Sequence, residues 1–268
     1  MNFPENTENA PMNTVKATMC VLGLLVFLVC LIQIRLYEPD FLKTSTIRPI
    51  GDIEANLLEV VIDPGHGGMD GGTVGEGVLE KDWALRMGTE LARELRSRGR
   101  EVLLTRDSDE ALSLASRCAI ANASDAKIFV SIHFNHSSDP TVSGVETFYS
   151  WPKSLTTVGA LKKRLGVGRG VTLKDERSEL LGAEVQQAIV STSGARDRGV
   201  KNRRLWVTRN TAIPAILVEC GFLSNRSERE SFANKDYRLA VVGAIANGIE
   251  AYLDDAELSP MLGLSFER

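Results

Sequence analysis

Short apolar runs and helical patterns alternate from residue 58 to residue 255, and this alternation restricts the fold more than any other feature of the sequence. Strands joined by helices form a largely parallel twisted sheet with helices on both faces. We expect strands at Leu58–Ile62, Val102–Thr105, Ile128–Ile132, Val145–Tyr149, Leu205–Thr208 and Pro214–Val218. We expect helices at Trp83–Arg98, Leu112–Ala123, Ser178–Val190 and Tyr237–Leu253. The sequence therefore predicts an α/β fold with one domain at residues 58–255.

Charge and cysteine content exclude two classes of protein. The chain has 268 residues and a formal net charge of −4, which gives no reason to expect nucleic acid as a partner. Four cysteines in a chain of this length do not form a disulfide scaffold. We interpret Cys118 and Cys220 as reduced core residues, with a disulfide between them as the alternative.

Titratable side chains follow three of the predicted strands, at the point where each strand ends. His66 lies four residues after the first strand, His133 comes directly after Ile132, and Glu219 comes directly after Val218. The carboxyl ends of parallel strands form the ligand crevice of an open α/β sheet. Two of the three histidines in the sequence are therefore expected at one edge of the sheet with a carboxylate.

Two imidazoles and a carboxylate suit a divalent metal such as Zn²⁺, and Glu80 is the natural third ligand. Glu80 lies fourteen residues after His66, at the end of a loop with glycines at 65, 67, 68, 71, 72, 75 and 77. Glycine allows backbone conformations in which such a loop folds back on itself. A phosphate-binding loop is the alternative, but the sequence matches neither phosphate-binding glycine motif.

Other polar residues near these positions are interpreted as structural. We expect His136 to be a bystander or to support a ligand, and Asp63 to brace the loop or His66 through a hydrogen bond. Arg106 and Asp107 are interpreted as structural pairing near the edge of the sheet.

Eight motifs in one order carry a family resemblance. They are Val61–Gly68 (VIDPGHGG), Glu80–Asp82 (EKD), Leu104–Arg106 (LTR), Ala121–Asn122 (AN), Ser131–Asn135 (SIHFN), Gly144–Tyr149 (GVETFY), Arg198–Lys201 (RGVK) and Leu217–Asn225 (LVECGFLSN). Together they closely resemble the zinc-dependent N-acetylmuramoyl-L-alanine amidases of the amidase type 3 family. The resemblance covers about residues 58–253.

The resemblance implies hydrolysis of peptidoglycan at the amide between the lactyl group of N-acetylmuramic acid and the L-alanine of the stem peptide. It implies that His66, Glu80 and His133 bind Zn²⁺ and that Glu219 is the catalytic carboxylate. Zinc lowers the pKa of a bound water to about 7 and polarises a carbonyl, which suits amide hydrolysis. A carboxylate beside the metal can carry the proton from water to the leaving amine.

The sequence departs from the family at two places. Phe134 and His136 stand where many members carry small residues, which alters the wall of the groove. Some cell-division members carry a self-inhibitory helix in the region of residues 150–177. Here that stretch is glycine-rich and basic in the middle, which favours a mobile loop facing the substrate over an inhibitory plug.

The N-terminal part of the chain predicts a membrane anchor. Residues 17–34 carry no charge and have about the minimum length that spans a bilayer, roughly 17–25 residues. No signal-cleavage pattern follows them, although a cleaved signal peptide is the alternative. We therefore expect a cytoplasmic tail at 1–16, a transmembrane signal-anchor at 17–34, a linker at 35–57 and a C-terminal tail at 256–268. The catalytic domain would lie on the periplasmic or extracytoplasmic side of the cytoplasmic membrane.

Two other functions stay open at this stage. A zinc peptidase would use the same ligands on a peptide bond, and a non-catalytic wall-binding protein would need none of them. The expected partners are peptidoglycan and the cytoplasmic membrane, with a protein activator left open.

Overall fold

The computed structural model describes residues 58–150 and 172–261. These residues belong to one compact unit, residues 55–268. Several parts of the chain lie outside the described residues. They include the predicted anchor at 17–34, the linker at 35–57, residues 151–171 of the glycine-rich, basic stretch, and residues 262–268. Within the described ranges, no helix has the length and apolar character needed to cross a membrane.

The described chain contains eight strands and six helices. The strands are β1 (Val60–Pro64), β2 (Val74–Gly75), β3 (Val78–Leu79), β4 (Val102–Leu104), β5 (Ile128–Asn135), β6 (Val145–Tyr149), β7 (Asp197–Asn202) and β8 (Ala215–Phe222). The helices are α1 (Glu80–Ser97), α2 (Leu114–Asn122), α3 (Thr172–Ser193), α4 (Trp206–Asn210), α5 (Arg226–Ala233) and α6 (Lys235–Met261).

Six of the strands form one mixed sheet in the order β4-β1-β5-β8-β6-β7. Neighbours pair in parallel except β6 and β8, which run antiparallel with Glu146 opposite Glu219. Strands β2 and β3 form a separate two-stranded hairpin in the loop before α1. The α/β fold class with a mostly parallel sheet is therefore confirmed, with β6 and β7 running opposite to the other four strands.

One face of the sheet carries the larger core. Alternate residues of the strands, such as Ile62, Val130 and Val218, point to this face and are fully buried. Helices α1, α3 and α6 cover them, with Leu91 and Ile245 in the same cluster. A continuous apolar layer under three long helices holds β1, β5 and β8 in fixed register.

The opposite face carries a smaller core that leaves room for a site. Phe129 and Leu217 point to this face and pack with Cys118 of α2 and Val207 of α4. Both cysteines of the described domain, Cys118 and Cys220, are buried and form no disulfide, which confirms the interpretation as reduced core residues.

The expected strand at Leu205–Thr208 is wrong, because this segment enters helix α4. Its branched and aromatic residues favour a strand, but the segment is helical, and in the helix Val207 is buried against Phe129 and Leu217 of the sheet. The expected list also lacked β7, the β2–β3 hairpin and α5. Strand β7 is polar and has no fully buried residue, so no hydrophobic pattern reveals it.

A buried carboxylate joins four elements beneath the site. Asp63 in β1 is fully buried and accepts hydrogen bonds from Thr105 Oγ1 (2.6 Å), Arg117 Nη1 (2.7 Å) and Ser131 Oγ (2.7 Å). Arg117, in α2, also donates to the backbone oxygen of Pro64 at 2.6 Å. Asp63 therefore ties β1 to β5, to the end of β4 and to α2.

Arg106 supports the same region through the main chain. It is buried and donates to the backbone oxygens of Pro64 (3.0 Å), Gly65 (2.7 Å), Lys81 (2.9 Å) and Ser108 (3.0 Å). Arg106 is therefore structural, as expected, but its hydrogen-bond partners are these carbonyls and not Asp107.

Replacing Asp63 with alanine is expected to lower the free energy of unfolding by about 3–5 kcal/mol, because the buried Arg117 loses its counter-ion. The measurement is urea unfolding of the metal-free protein. The matched control is Asp254→Ala, which breaks an exposed pair with Arg100 and is expected to cost about 0–1 kcal/mol. Equal losses in the two variants would contradict the role assigned to Asp63.

Candidate metal centre and catalytic carboxylate

The loop after β1 holds His66 in an unusual backbone conformation. His66 has a φ of 58°, in the left-handed region that side chains other than glycine seldom adopt. Arg117 Nη2 donates to the backbone oxygen of His66 at 2.5 Å, and Gly67 and Asp70 form a short antiparallel bridge just after it. The two interactions fix where the imidazole of His66 lies.

The β2–β3 hairpin reverses the direction of the chain and brings Glu80 close to His66. The backbone N–H of Glu80 donates to Thr73 O at 3.0 Å, and Glu80 is the first residue of α1. Its carboxylate also accepts from the backbone N–H of Thr73 (2.8 Å) and of Phe134 (3.1 Å). The N-terminal end of a helix favours a negative charge, which adds to these contacts.

His66, Glu80 and His133 come together as a compact cluster. Nε2 of His66 lies 3.1 Å from Glu80 Oε2, and Nδ1 of His133 lies 2.8 Å from Glu80 Oε1. One potential ligand atom from each residue lies within 4.8 Å of the other two. The three residues predicted as ligands are therefore neighbours in space, in an arrangement that suits one metal ion.

The ionisation of the cluster follows from these contacts. Burial acts to raise the pKa of Glu80, but its hydrogen bonds to His133 and His66 outweigh burial and hold that pKa far below its usual range. Burial acts to lower the pKa of His66, yet the contacts with Glu80 and Asp70 raise it overall. Glu80 is therefore an anion at neutral pH, as a metal ligand must be.

Asp70 orients His66 and was not anticipated from the sequence. Its Oδ2 lies 2.8 Å from Nδ1 of His66. This contact holds the ring at Nδ1 and directs Nε2 towards Glu80, so Nε2 is the nitrogen that can bind a metal once it has lost its proton. The donor set of two imidazoles and one carboxylate fits Zn²⁺, which takes three protein ligands in catalytic sites.

Two glycines allow the ligands to approach each other. A Cβ at Gly65 would lie 2.3 Å from Cε1 of His133, and a Cβ at Gly72 would lie 2.6 Å from Oε2 of Glu80. Gly72 also has a φ of 67°. The loop therefore needs glycine at both positions for steric reasons at the cluster itself.

Glu219 lies beside the cluster and differs from it in environment. It pairs with His133 in the register of β5 and β8, so the two side chains are neighbours on one face. Its Oε2 is the one buried side-chain oxygen or nitrogen within the described ranges that has no hydrogen-bond partner. Burial raises the pKa of Glu219 to about 7.

The remaining sequence interpretations have mixed outcomes. His136 is exposed and lies outside the cluster. Asp63 braces the loop through Arg117, as expected, and makes its contacts there rather than with the imidazole of His66. The sequence places Glu146, Arg198 and Lys201 within two of the family motifs, but no role was assigned to them. Glu146 stands opposite Glu219 in the β6–β8 register, and Arg198 and Lys201 contact Glu146.

Comparisons with known proteins agree with this site. The chain matches the family model Amidase_3, described as N-acetylmuramoyl-L-alanine amidase, over residues 60–251. It is 30% identical over 193 residues to N-acetylmuramoyl-L-alanine amidase LytC of Bacillus subtilis, a match that spans 72% of this chain and 35% of LytC.

Solved structures show the same fold. The N-acetylmuramoyl-L-alanine amidase from Clostridium difficile 630 is 34% identical with a TM-score of 0.64, over 75% of this chain and 98% of that one. The CwlD amidase from Clostridioides difficile, solved in complex with the GerS lipoprotein, is 28% identical with a TM-score of 0.63. That match covers 74% of this chain and 99% of CwlD.

Zinc binding can be checked with the three histidines of the chain. His66→Ala and His133→Ala are each expected to reduce zinc content well below one ion per chain, because each removes one of three ligands. His136→Ala is the matched control and is expected to retain zinc, since His136 is exposed outside the cluster. The measurement is elemental analysis of purified protein. Full zinc occupancy in the double variant of His66 and His133 would refute the site.

The steric role of Gly65 gives a second test. Gly65→Ala places a methyl group against the ring of His133 and is expected to weaken zinc binding by about 10–100-fold, the scale seen when contacts around a ligand are lost. Gly71→Ala, in the same loop, meets only Leu79 Cδ2 at 3.5 Å and is expected to bind zinc normally. Competition with a chromophoric chelator measures both affinities. Equal affinities would show that the ring of His133 moves freely.

Proposed function

This chain belongs to the family of N-acetylmuramoyl-L-alanine amidases, and from that premise we propose that it is a zinc-dependent peptidoglycan hydrolase. The bond cleaved is the amide between the lactyl group of N-acetylmuramic acid and the L-alanine of the stem peptide. His66, Glu80 and His133 hold the metal ion, and Glu219 is the catalytic carboxylate.

One observation carries the assignment of roles. Glu80 contacts the imidazoles of His66 (3.1 Å) and His133 (2.8 Å), whereas the buried Oε2 of Glu219 beside them has no hydrogen-bond partner. A buried polar atom without a partner costs free energy, so such an atom in a native site calls for a functional explanation. A carboxylate kept free of protein donors is available to water and substrate.

The metal contributes electrostatics, and the protein supplies the positions. A bound Zn²⁺ polarises an amide carbonyl and makes water more acidic. Asp70 orients His66, and the backbone N–H groups of Thr73 and Phe134 orient Glu80. Contacts with the protein therefore orient His66 and Glu80 in the absence of substrate.

Glu219 moves the proton. Its pKa is raised to about 7 chiefly by burial, and the negative charges of Glu80 and Glu146 act in the same direction. An acid–base group is most effective when its pKa lies near the working pH, since it must both accept and release a proton. Glu219 takes the proton of the attacking water and returns it to the departing amine nitrogen of alanine.

Location and cellular role are part of the proposal. Peptidoglycan lies outside the cytoplasmic membrane, so residues 17–34 would anchor the chain with its catalytic domain on the outer side. In that position the enzyme would act in wall remodelling or in the separation of daughter cells. The CwlD amidase was solved with the GerS lipoprotein, and this supports a protein activator for the present chain as well.

Glu219→Gln is expected to retain zinc and lower the rate of amide hydrolysis by at least about 10²-fold, the usual scale for loss of an acid–base group. The amide keeps the size of the side chain but cannot accept the proton. Purified full-length protein is incubated with peptidoglycan, and the products are identified by mass spectrometry. Glu230→Gln, an exposed change on α5, is the matched control.

The products also separate the competing functions. Release of peptides with a free amino group on L-alanine supports the amidase. Cleavage within the stem peptide would indicate a peptidase, and an intact wall after incubation with the zinc-loaded protein would indicate a binding protein. Loss of zinc from Glu219→Gln would make Glu219 a ligand instead.

A further inference from the structure

Glu146 is a buried carboxylate next to the proposed site, and it forms ion pairs with two cationic side chains. Oε1 of Glu146, in β6, accepts from Nδ2 of Asn135 at 2.6 Å. Oε2 of Glu146 accepts from Nε of Arg198 at 3.1 Å and from Nζ of Lys201. Both cations come from β7, the polar edge strand of the sheet. These four residues form what we name the β6–β7 charge cluster.

The charge cluster continues the row of side chains that contains the proposed catalytic carboxylate. His133, Glu219 and Glu146 stand opposite one another on β5, β8 and β6. Neighbouring strands lie about 4.8 Å apart, so opposite residues are side by side on one face. Two carboxylates at such a distance repel each other, and the cations on Glu146 offset this repulsion.

The two cations exceed what Glu146 requires. One positive charge neutralises its carboxylate, and Asn135 already occupies the other oxygen. Counted over its own four side chains, the β6–β7 charge cluster therefore has a formal net charge of +1, and Glu228 is a further acid close to Arg198. The side chains of Lys201 and Arg198 are 42% and 26% exposed, so solvent and ligands reach both.

Arg198 is also held in place on its other side. Its guanidinium carbon lies 4.9 Å from the centroid of the Phe222 ring. Contacts with a carboxylate and an aromatic ring restrict the rotamers of the side chain, which reduces the entropy lost when a ligand binds. An accessible, fixed guanidinium beside a lysine is a suitable binding site for a carboxylate.

We propose that Lys201 and Arg198 bind a carboxylate in the peptide part of the substrate, on the alanine side of the scissile amide. The inference rests on the proposed function, since it concerns the substrate of that same site. From Glu219 to β7 is two strand spacings, about 10 Å. An extended peptide advances about 3.3–3.6 Å per residue, so the carboxylate lies within about three residues of the scissile bond.

Paired substrates test this site by binding, independently of catalysis. The ligands are pairs of N-acetylmuramoyl-L-alanyl peptides of equal length. The two members of a pair differ only by a free carboxylate or a carboxamide, placed in one pair at the second residue of the peptide and in another pair at the third. Each is titrated calorimetrically into the zinc-loaded full chain with Glu219→Gln, so that hydrolysis does not interfere. In one of the pairs the carboxylate peptide is expected to bind at least about tenfold more tightly, a typical gain from charge-assisted hydrogen bonds.

Variants locate the source of the preference. Lys201→Gln in the Glu219→Gln background is expected to reduce the ratio of the two Kd values towards one, because the amide keeps a donor for Glu146 but removes the charge. Lys201→Arg is expected to restore most of the ratio. Lys235→Gln, at an exposed lysine that begins α6, is the matched control and leaves the ratio unchanged.

The outcomes separate this inference from the proposed function. Equal binding of the two peptides in both pairs, or an equal loss of both in Lys201→Gln, would show that the cations only neutralise Glu146 and would overturn the inference. A retained carboxylate preference would support it even if the wild-type chain cleaved neither peptide. That failure of cleavage would count against the proposed function alone.

Discussion

The hydrogen bonds of one buried carboxylate hold the site loop to the sheet. Asp63 accepts from Thr105, Arg117 and Ser131, and Arg117 in turn donates to the backbone oxygen of His66. A buried charge is tolerated only when it is paired and fully hydrogen-bonded. The contacts that satisfy Asp63 therefore also determine the position of the His66 imidazole. The backbone conformation of His66, with its positive φ, is unfavourable by itself. Stability of the fold and geometry of the site depend on a shared set of atoms.

The parts of this structure that the sequence predicts are those with a strong local signal. His133 and Glu219 directly follow apolar runs in the sequence, and these runs locate them near the carboxyl ends of their strands. The strands are longer than expected, because β5 continues through His133 to Asn135 and β8 continues through Glu219 to Phe222. Glu80 could be assigned because glycines before it permit a loop that turns back. Helices with a clear apolar stripe, such as α1, were placed to within a few residues.

The parts that escaped prediction depend on contacts between distant segments. Strand β7 has no hydrophobic alternation and is held at the edge by pairing with β6 and by the ion pairs of Glu146. Segment Leu205–Thr208 has a strand-like composition, but the burial of Val207 against the sheet favours a helix. The partnership of Asp70 with His66 depends on loop geometry, which no periodic pattern reveals. Charge pairing and tertiary packing determine the conformation of these segments.

The alternation of side chains along β8 from Ala215 to Cys220 has a consequence for how this architecture can vary. Val218 and Cys220 are buried in the core under the three long helices, while Glu219 between them points to the opposite face. A shift of one residue in a strand exchanges its two faces. Deleting one residue before Glu219 would therefore bring a thiol or an aliphatic side chain into the site and bury the carboxylate in the hydrophobic core. A length change in β8 before Glu219 would therefore disrupt the site, whereas the connecting loops can change in length without moving this carboxylate to the other face.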